Sequence, residues 1–276
     1  QRSKGVLSTA GIASNERAAI LLYTIVKRTW EIVCTAYKTK TPLYEKTLEQ
    51  FIMQCFTEYN LVTDHPPIVA FGKNSGNPHY EVPEKESAVA NEGDLIQFDI
   101  WAKEKYAADL NGNIAYKNAI YADISWVGVF ALLPSEAQKK DFENLTKARD
   151  TVYEKLLQDS KNNTIFERTG ESLDKIVRQS LINDNYENNI RHRTGHGIDT
   201  DCHGSGVNLD SVEFPDKRTL LEGSCFSVEP GIYTPQGGMR TEIDIYIKDG
   251  KPVISGQKFN TSQKLPIPQK VLLTVE

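Results

Sequence analysis

Four acidic residues lie inside apolar segments typical of β-strands, and this pattern restricts the possible folds more than any other feature of the chain. They are Asp99 in QFDIW, Asp123 in YADISW, Glu229 in SVEPGIY and Glu242 in RTEIDIY. A buried carboxylate has to be protonated, paired with a cation or bound to a metal ion. One such residue is usually a hydrogen-bonded core acid, whereas four predict a fold that gathers carboxylates around bound cations.

The histidines are concentrated in a similar way. The segment HRTGHGIDTDCHG contains His192, His196 and His203, which are three of the five histidines in the chain. A mixed shell of carboxylates and imidazole suits divalent ions such as Mn²⁺, Co²⁺, Fe²⁺ and Zn²⁺. Two such ions about 3.5–4 Å apart, bridged by carboxylates and water, would balance the charge of the four acids. The sequence therefore predicts a centre of two divalent metal ions.

The composition is that of an ordinary globular protein and excludes several kinds of partner. The 276 residues are 39% hydrophobic and 25% charged, with a formal net charge of −5. Because there is no block of Lys and Arg, we expect no binding to nucleic acid or to anionic membranes. No apolar run reaches the roughly 20 residues that span a bilayer. The first residues lack the apolar stretch of a signal peptide, and the four cysteines form no CxxC pair, so we expect a cytoplasmic protein with reduced thiols.

Hydrophobic periodicity predicts helices followed by strands, twice along the chain. The first half has a helix over residues 15–37 that Ser14 can cap, a second helix beginning at Thr41-Pro42, and strands in PPIVAFG, DLIQFDIWA and AIYADISWVGVFALL. The second half has a helix opened by a capping box of Ser135 and Gln138, a helix over 171–181, and strands in CFSVEPGIYT, MRTEIDIYI, KPVISG and KVLLTVE. This order predicts an α+β fold with a pseudo-twofold arrangement.

The same residues resemble the pita-bread metallopeptidases, the family of methionine aminopeptidase, Xaa-Pro aminopeptidase, prolidase and the metal-free creatinase. The chain order Asp, Asp, His, Glu, Glu is shared, and GKNSGNPHYEVP, HRTGH, GHGI, EPGIY and MRTE are similar to the Xaa-Pro aminopeptidase and prolidase branch. The resemblance spans nearly the whole chain. It implies the pita-bread fold, a curved antiparallel sheet flanked by helices, in a single catalytic domain over residues 1–276. The chain does not begin with Met, which is compatible with an N-terminal domain that it does not include.

Carried over residue by residue, the resemblance implies a role for each site residue. The ligands of the two metal ions, expected to be manganese with cobalt, zinc or iron as alternatives, would be Asp99, Asp123, His196, Glu229 and Glu242. His79, His192 and His203 are implied to contact the substrate and support catalysis, and Arg240 to bind substrate and pair with carboxylates near the metals. Ser125 keeps the hydroxyl of a threonine in the family.

The activity that the resemblance implies is that of a metallo-exopeptidase. It would hydrolyse the bond before proline, as Xaa-Pro aminopeptidase or Xaa-Pro dipeptidase does, by means of a hydroxide that bridges the metals. Glu229 would shuttle the proton, and His203 would stabilise the developing oxyanion. The implied partners are a peptide or dipeptide with proline after the scissile bond and, in a homodimer, a second copy of the chain.

The spacing of the two aspartates departs from the family pattern. Asp123 lies 24 positions after Asp99, whereas the family has its aspartates close together at the ends of a tight hairpin. Asp109 is nearer to the family spacing and is the rival ligand. YADISWVG supplies the aromatic residue, the hydroxyl and the β-rich continuation, so we predict Asp123 as the ligand and AADLNGN as the turn of an enlarged hairpin. Asp199, Gly204 and Trp101 also differ from the family, which affects the predicted substrate preference.

Several alternatives remain open from the sequence. A methionine aminopeptidase-like enzyme is the nearest, although that branch lacks the histidine of HRTGH and the arginine of MRTE. A creatinase-like hydrolase needs no metal, and a non-catalytic peptide- or protein-binding module would be expected to have lost ligands, whereas all five are present. Tyr80, Trp101 and Trp126 either line a proline pocket or belong to the core, and His65 is predicted to be a loop residue and not a ligand.

Overall fold

The computed structural model describes residues 5–258 and 266–276. In this part of the chain the α-helices are α1 (Thr9–Thr39), α2 (Glu45–Glu58), α3 (Glu136–Lys161) and α4 (Gly170–Asn183). The strands are β1 (Leu61–Val62), β2 (Ile68–Phe71), β3 (Leu95–Glu104), β4 (Ala107–Ala108), β5 (Ile114–Ala115), β6 (Ala122–Val129), β7 (Cys225–Val228), β8 (Gly231–Thr234), β9 (Gly237–Arg240), β10 (Ile243–Lys248) and β11 (Lys251–Ile254). Two helices followed by strands occur in each half, which confirms the predicted α+β order.

Each half builds an antiparallel sheet, and one of the backbone contacts between the halves lies at Ser125 and Glu242. In the first half, β3 pairs with β1, β2 and β6. In the second half, β10 pairs with β7 and β11, while β8 and β9 form a hairpin. The amide of Glu242 donates to the carbonyl of Ser125 at 3.1 Å and joins β6 to the second half. The predicted acidic residues therefore lie next to the junction between the halves.

The long helix α1 covers one face of the first sheet. Its apolar stripe, which includes Leu22, Ile25 and Val33, is fully buried, and each such side chain stabilises the fold by about 1.5–3 kcal/mol. Trp30 packs edge-on against Phe98, and a Cβ on Gly128 would lie 2.3 Å from the Trp30 ring. With this face sealed, the side chains on the opposite face of β3 and β6 point towards the second half.

The two predicted helix starts in the first half are wrong. Ser8, not Ser14, caps α1 by accepting a bond from the Gly11 amide at 3.1 Å. Ser14 is buried inside the helix, where its hydroxyl donates to Glu104 and accepts from the Ile120 amide. Helix α2 begins at Glu45 rather than at Thr41-Pro42, because Thr41 completes the end of α1 by donating its amide to the Ala36 carbonyl.

The predicted strands are interrupted at the acidic residues of the second half. CFSVEPGIYT divides into β7 and β8 at Glu229-Pro230, since proline has no amide to continue the ladder. MRTEIDIYI divides into β9 and β10 at Thr241-Glu242. The strand predicted for KVLLTVE is wrong, because that segment contributes only an isolated bridge between Leu273 and Gly128. The capping box of Ser135 and Gln138 is confirmed. Among the described residues, no helix combines the length and the apolarity needed to cross a bilayer.

Candidate metal centre

Asp99 and Asp123 lie side by side on the uncovered face of the first sheet. In the antiparallel register of β3 and β6, Asp99 is opposite Ser125 and Asp123 is opposite Trp101. Because side chains alternate along a strand, these four residues share one face. Both carboxyl groups are buried. The predicted pair is therefore brought together in spite of the 24 positions between its members.

A loop that runs alongside β7 delivers His196 to the same face. The Ser227 amide donates to the His196 carbonyl at 2.9 Å, and the Ile198 amide donates to the Cys225 carbonyl at 2.9 Å. The approach needs Gly195, since a Cβ there would lie 1.9 Å from the Ser227 carbonyl oxygen. It places Nε2 of the buried His196 imidazole 3.4 Å from Asp123 Oδ2 and 3.2 Å from Glu229 Oε1.

Glu229 and Glu242 face each other from adjacent strand ends. Val228 at the end of β7 pairs with Ile243 at the start of β10, so Glu229 and Glu242 are the next residues on the two chains. Glu229 accepts a hydrogen bond from Ser227 Oγ at 3.0 Å, and Glu242 accepts one from Ser125 Oγ at 2.8 Å. The serine at position 125 thus fixes the orientation of one carboxylate of the cluster.

The donor atoms form two groups that share Glu242. One group is Asp99, Asp123 and Glu242, and the other is His196, Glu229 and Glu242; within each group the donor atoms lie within 4.8 Å of one another. Buried oxygens Asp99 Oδ1, Asp123 Oδ1 and Glu242 Oε1 have no hydrogen-bond partner among the described residues. Buried polar atoms of this kind are rare, because the lost hydration is not replaced. Both observations fit a site built for cations.

The distances around His196 also fit a shared metal ion. Two oxygen or nitrogen ligands at bond lengths of about 2.0–2.2 Å from one ion lie about 3.0–3.5 Å apart when the angle between them is near 90–110°. The separations from His196 Nε2 to Glu229 and Asp123, 3.2 and 3.4 Å, fall in that range. The donor set of four carboxylates and one imidazole suits divalent ions of intermediate hardness.

The pKa values show that the protein alone does not neutralise the cluster. Burial raises the pKa of Asp99 to about 7, although the Arg240 guanidinium opposes this. Burial and the nearby Asp123 raise the pKa of Glu242 well above its ordinary value. Burial disfavours the His196 imidazolium, but hydrogen bonds to Asp123 and Glu229 outweigh it and raise the His196 pKa to about 10. Burial also works against ionised Glu229, yet His196 lowers its pKa to about 2. Without metal ions, the protonated His196 therefore supplies positive charge to the cluster.

Arg240 contacts the cluster at Asp99 and belongs to a chain of hydrogen bonds that continues through Tyr233 to His192. The buried guanidinium of Arg240 donates to Asp99 Oδ2 at 2.5 Å and to the Tyr233 hydroxyl at 2.7 Å. Nε2 of His192 lies 2.7 Å from that hydroxyl, and its Nδ1 lies 2.7 Å from the Arg193 carbonyl. A carbonyl only accepts, so Nδ1 carries the proton and the Tyr233 hydroxyl donates to Nε2. Both ring nitrogens of His192 are thus engaged by protein atoms.

A pocket of about 180 Å³ opens onto the cluster. The exposed rings of His79 and His203 lie at its wall, and the His203 ring centroid is 4.3 Å from that of His196. Trp101 also lines it, with Nε1 donating to Asp64 at 2.7 Å. His65, a loop residue as predicted, stacks on Trp101. By contrast, Trp126 is a core residue that packs on Tyr23, and the Tyr80 hydroxyl binds Glu45.

The other residues singled out by sequence lie in turns. Asp109 accepts bonds from the amides of Asn111 and Asn113 at 2.8 and 2.9 Å, inside the hairpin of β4 and β5. The enlarged hairpin is therefore present, and Asp109 stabilises its turn. Asp199 likewise accepts from the amides of Asp201 and Ser205. A Cβ on Gly204 would lie 2.6 Å from the Asp199 carboxyl carbon, so these two departures from the family pattern are linked.

Two further residues at the centre were not found from the sequence. Asp244 is buried and accepts from the Asp123 amide at 2.9 Å; its position two residues after Glu242 in EIDIY places it on the same strand face. Cys202 is buried with its sulfur 3.1 Å from Asp123 Oδ2. Its only sequence signal is its place immediately before His203.

Comparison with known proteins agrees with this architecture. The model of metallopeptidase family M24 matches residues 16–249. The chain is 30% identical over 231 residues to a putative Xaa-Pro aminopeptidase of Mycoplasma genitalium, covering 79% of this chain and 56% of that protein. It is 29% identical over 215 residues to an Xaa-Pro dipeptidase of Lactobacillus delbrueckii subsp. lactis, covering 75% of this chain and 47% of the relative. The chain thus spans about half the length of these curated relatives.

Solved structures show the same fold. A recombinant prolidase from Thermococcus sibiricus superimposes with a TM-score of 0.73 at 23% identity, covering 99% of this chain and 63% of the other. The X-Pro aminopeptidase of Thermotoga maritima gives a TM-score of 0.73 at 21% identity, covering 98% and 65%. The fold is therefore the pita-bread fold. The chain belongs to metallopeptidase family M24, and the cluster of four carboxylates and His196 is its candidate centre for divalent metal ions.

Substitution of Asp123 and of Asp109 is expected to have very different effects on metal affinity. Asp123→Ala removes a buried donor at the centre of the cluster and should weaken the binding of Mn²⁺ or Co²⁺ by at least about 100-fold. Asp109→Ala is the matched control, because Asp109 binds only turn amides. Titration calorimetry on EDTA-treated protein measures both affinities. The reverse ranking would show that the ligand belongs to the hairpin turn.

Glu242→Gln is expected to change the melting temperature in opposite directions with and without metal ions. In metal-free protein at about pH 8 it removes the cost of burying this acid, either as a charge or after uptake of a proton, so the Tm should rise by about 2–5 °C. The folded state holds the Glu242 proton more tightly than the unfolded state, because its pKa is raised. The unsubstituted metal-free protein therefore loses stability as the pH rises, and the difference from Glu242→Gln should shrink towards about pH 5.

With metal bound, Glu242→Gln removes a donor that both groups share, and the Tm should fall below that of the unsubstituted protein. Thermal unfolding with EDTA and with excess Mn²⁺ makes the comparison at each pH. A Tm change of the same sign under both conditions would contradict the role of Glu242 as a ligand.

Proposed function

We propose that this chain is the catalytic domain of a two-metal exopeptidase that hydrolyses the peptide bond before proline. The observation that carries the proposal is the pair of donor groups that share Glu242, since one bridging carboxylate is what two neighbouring cations require. The names of the relatives, Xaa-Pro aminopeptidase and Xaa-Pro dipeptidase, support the substrate class. A cytoplasmic location and a homodimer, both expected from the sequence, belong to the same proposal.

The five predicted ligands would hold the metals. One ion would bind at Asp99, Asp123 and Glu242, and the other at His196, Glu229 and Glu242. Asp123 would serve both positions, because its Oδ2 also lies 3.4 Å from Nε2 of His196. Mn²⁺ is the metal proposed for the all-carboxylate position, because oxygen ligands suit it, with Co²⁺, Zn²⁺ or Fe²⁺ as alternatives at the position that includes His196. When bound, such ions make water a nucleophile near neutral pH and polarise the carbonyl of a substrate. The role of the protein is to hold the ligands in position and to move the protons.

Glu229 is the proposed proton carrier. It is the least buried of the four acids, and it lines the pocket. In the metal-free protein the charged His196 lowers the pKa of Glu229 and keeps the carboxylate ionised at neutral pH, and bound metal ions would replace that charge. Ser227 Oγ lies 3.0 Å from one of its oxygens. Glu229 would take a proton from the attacking water and pass it to the nitrogen of the leaving proline.

His203 is the proposed donor to the scissile carbonyl. Partial burial, and next the charge on His196, lower the pKa of His203, so the ring is neutral near pH 7. Among the described residues its ring nitrogens have no hydrogen-bond partner, and a neutral imidazole carries one N–H. A donor aimed at the developing oxyanion stabilises the transition state more than the ground state. His79, which has no ring partner among the described residues either, lines the same pocket and would contact the rest of the substrate.

The assignment of His192 changes in the light of its contacts. Its two ring nitrogens are occupied by Tyr233 and Arg193. We therefore propose that His192 positions Tyr233, and through it Arg240, while the ring contributes a face to the pocket. Burial lowers the pKa of His192, which keeps the ring neutral and able to accept from Tyr233. Arg240 would hold Asp99 in its ionised form by charge pairing.

The pocket suits a short peptide with a compact residue after the bond. Its volume of about 180 Å³ is below the roughly 300–1,000 Å³ of pockets that hold drug-sized ligands. Trp101, fixed by Asp64 and stacked by His65, provides a flat apolar wall. Proline has a compact ring and no backbone N–H, so a site that accepts it needs no acceptor there.

The substrate class is tested with a panel of peptides. Ala-Pro or Ala-Pro-X should be hydrolysed at least about 30-fold faster than Ala-Ala-X, which corresponds to about 2 kcal/mol in transition-state binding. Activity should disappear with EDTA and return with Mn²⁺. Equal rates on both peptides, or release of N-terminal Met alone, would favour a methionine aminopeptidase-like enzyme. No hydrolysis of any peptide by metal-loaded protein would favour a binding module.

His203→Ala is expected to lower kcat by about 100-fold, the usual effect of removing one oxyanion donor. The metal content should stay unchanged, because the proposed role of His203 is at the carbonyl. Steady-state kinetics on the best Xaa-Pro substrate, combined with metal analysis of the same sample, test both statements. Loss of metal along with activity would identify His203 as a ligand instead.

A further inference from the structure

Cys202 lies between an apolar cluster and the metal centre. It is 3% exposed and packs with Leu7, Ile12 and Ile120. On its other side, Sγ is 3.1 Å from Asp123 Oδ2. The sulfur therefore lies against the same carboxylate oxygen of Asp123 that His196 Nε2 approaches at 3.4 Å.

The sulfur also belongs to a third group of potential donors. Asp123, His196 and Cys202 have donor atoms within 4.8 Å of one another, and all three residues are buried. Asp123 is 5% exposed, and its Oδ1 has no hydrogen-bond partner among the described residues. Among those residues, no other cysteine joins such a group. This unpartnered oxygen is the one that already marks Asp123 as a candidate ligand, and the sulfur lies against the second oxygen of the same carboxylate.

The sulfur–oxygen distance agrees with two ligands on one ion. With a metal–sulfur bond of about 2.3 Å and a metal–oxygen bond of about 2.1 Å, two ligands at right angles lie about 3.1 Å apart. The observed separation is 3.1 Å. The alternative is that the thiol only donates a weak hydrogen bond to Asp123 and binds no metal. The two arrangements differ in whether a metal–sulfur bond forms.

We propose that Cys202 is an additional ligand of the metal position at His196, and that this position consequently prefers thiophilic divalent ions such as Zn²⁺, Co²⁺ and Cd²⁺ to Mn²⁺. On binding, the metal–sulfur bond forms as the S–H bond breaks, and the proton passes to the buffer. Thiolate ligands favour softer ions, whereas a shell of carboxylates favours Mn²⁺. The inference rests on the proposed function, because it requires the metal centre.

The test is the absorption spectrum of the Co²⁺-loaded full chain. A thiolate bound to Co²⁺ gives a charge-transfer band in the near ultraviolet, which carboxylate and imidazole ligands do not produce. The band should appear as Co²⁺ is titrated into EDTA-treated protein, persist in Cys34→Ser and disappear in Cys202→Ser. Cys34 is the control because it is a more accessible thiol on helix α1. In Cys202→Ser, affinity for Cd²⁺ should fall by at least about tenfold while that for Mn²⁺ changes less than about threefold.

The outcomes separate this inference from the proposed function. Co²⁺ uptake with Xaa-Pro hydrolysis but without the band would overturn the inference and leave the function intact. Absence of Co²⁺ uptake would overturn both. Absence of the band from the unsubstituted protein overturns the inference even if Cys202→Ser fails to fold, and Cys202→Val provides a second variant, of similar volume, with which to assign a band that is present. A band that persists in a folded Cys202 variant would assign the bond to another thiol and overturn the inference.

Discussion

The repulsion among buried carboxylates is the constraint on which the rest of this structure depends. Asp99, Asp123 and Glu242 are each less than a tenth exposed, and each has one oxygen without a partner among the described residues. No single half of the chain supplies this cluster, because β3 and β6 carry the aspartates while Glu242 comes from the second half. The fold therefore brings negative charge together at the junction between its halves. That arrangement is stable only with protons, Arg240, a charged His196 or metal ions to offset it.

The sequence identified these acids because a carboxylate inside an apolar strand has few explanations, and the fold order followed from periodicity. Residues that reach the centre only through strand pairing or through the course of a loop could not be identified from the sequence. Asp244 contacts the centre by accepting a hydrogen bond from the Asp123 amide. Cys202 lies on the loop whose close approach to β7 requires Gly195. The helix starts failed for a related reason. Ser14 and Thr41 have the right chemistry for caps, but tertiary contacts to Glu104 and to the end of α1 use those groups instead.

The three histidines of one short segment differ in pKa and in hydrogen bonding because their surroundings differ. His196 is surrounded by carboxylates, so its pKa rises to about 10 in spite of burial. His192 lies only four positions earlier, yet burial lowers its pKa and Tyr233 uses its free nitrogen. His203 stays at the mouth of the pocket with unpartnered nitrogens in the part of the chain that is described. The structure thus brings all three clustered histidines to one pocket, whereas the sequence could not reveal that the surroundings of each one differ.

The enlarged hairpin, the largest departure from the family pattern, is connected to the loop that carries these histidines. At its base the buried Lys103 lies 4.2 Å from the ring centroid of Tyr116, which belongs to the inserted segment, and donates to the Thr200 carbonyl at 2.7 Å. The Tyr121 amide donates to the Asp199 carbonyl at 3.0 Å. Because Asp199 and Thr200 precede Cys202 and His203, these contacts connect the enlarged hairpin to the loop that carries the histidines. β6 keeps its register with β3, so the longer connection leaves Asp123 beside Asp99 while it contacts the loop that leads to His203.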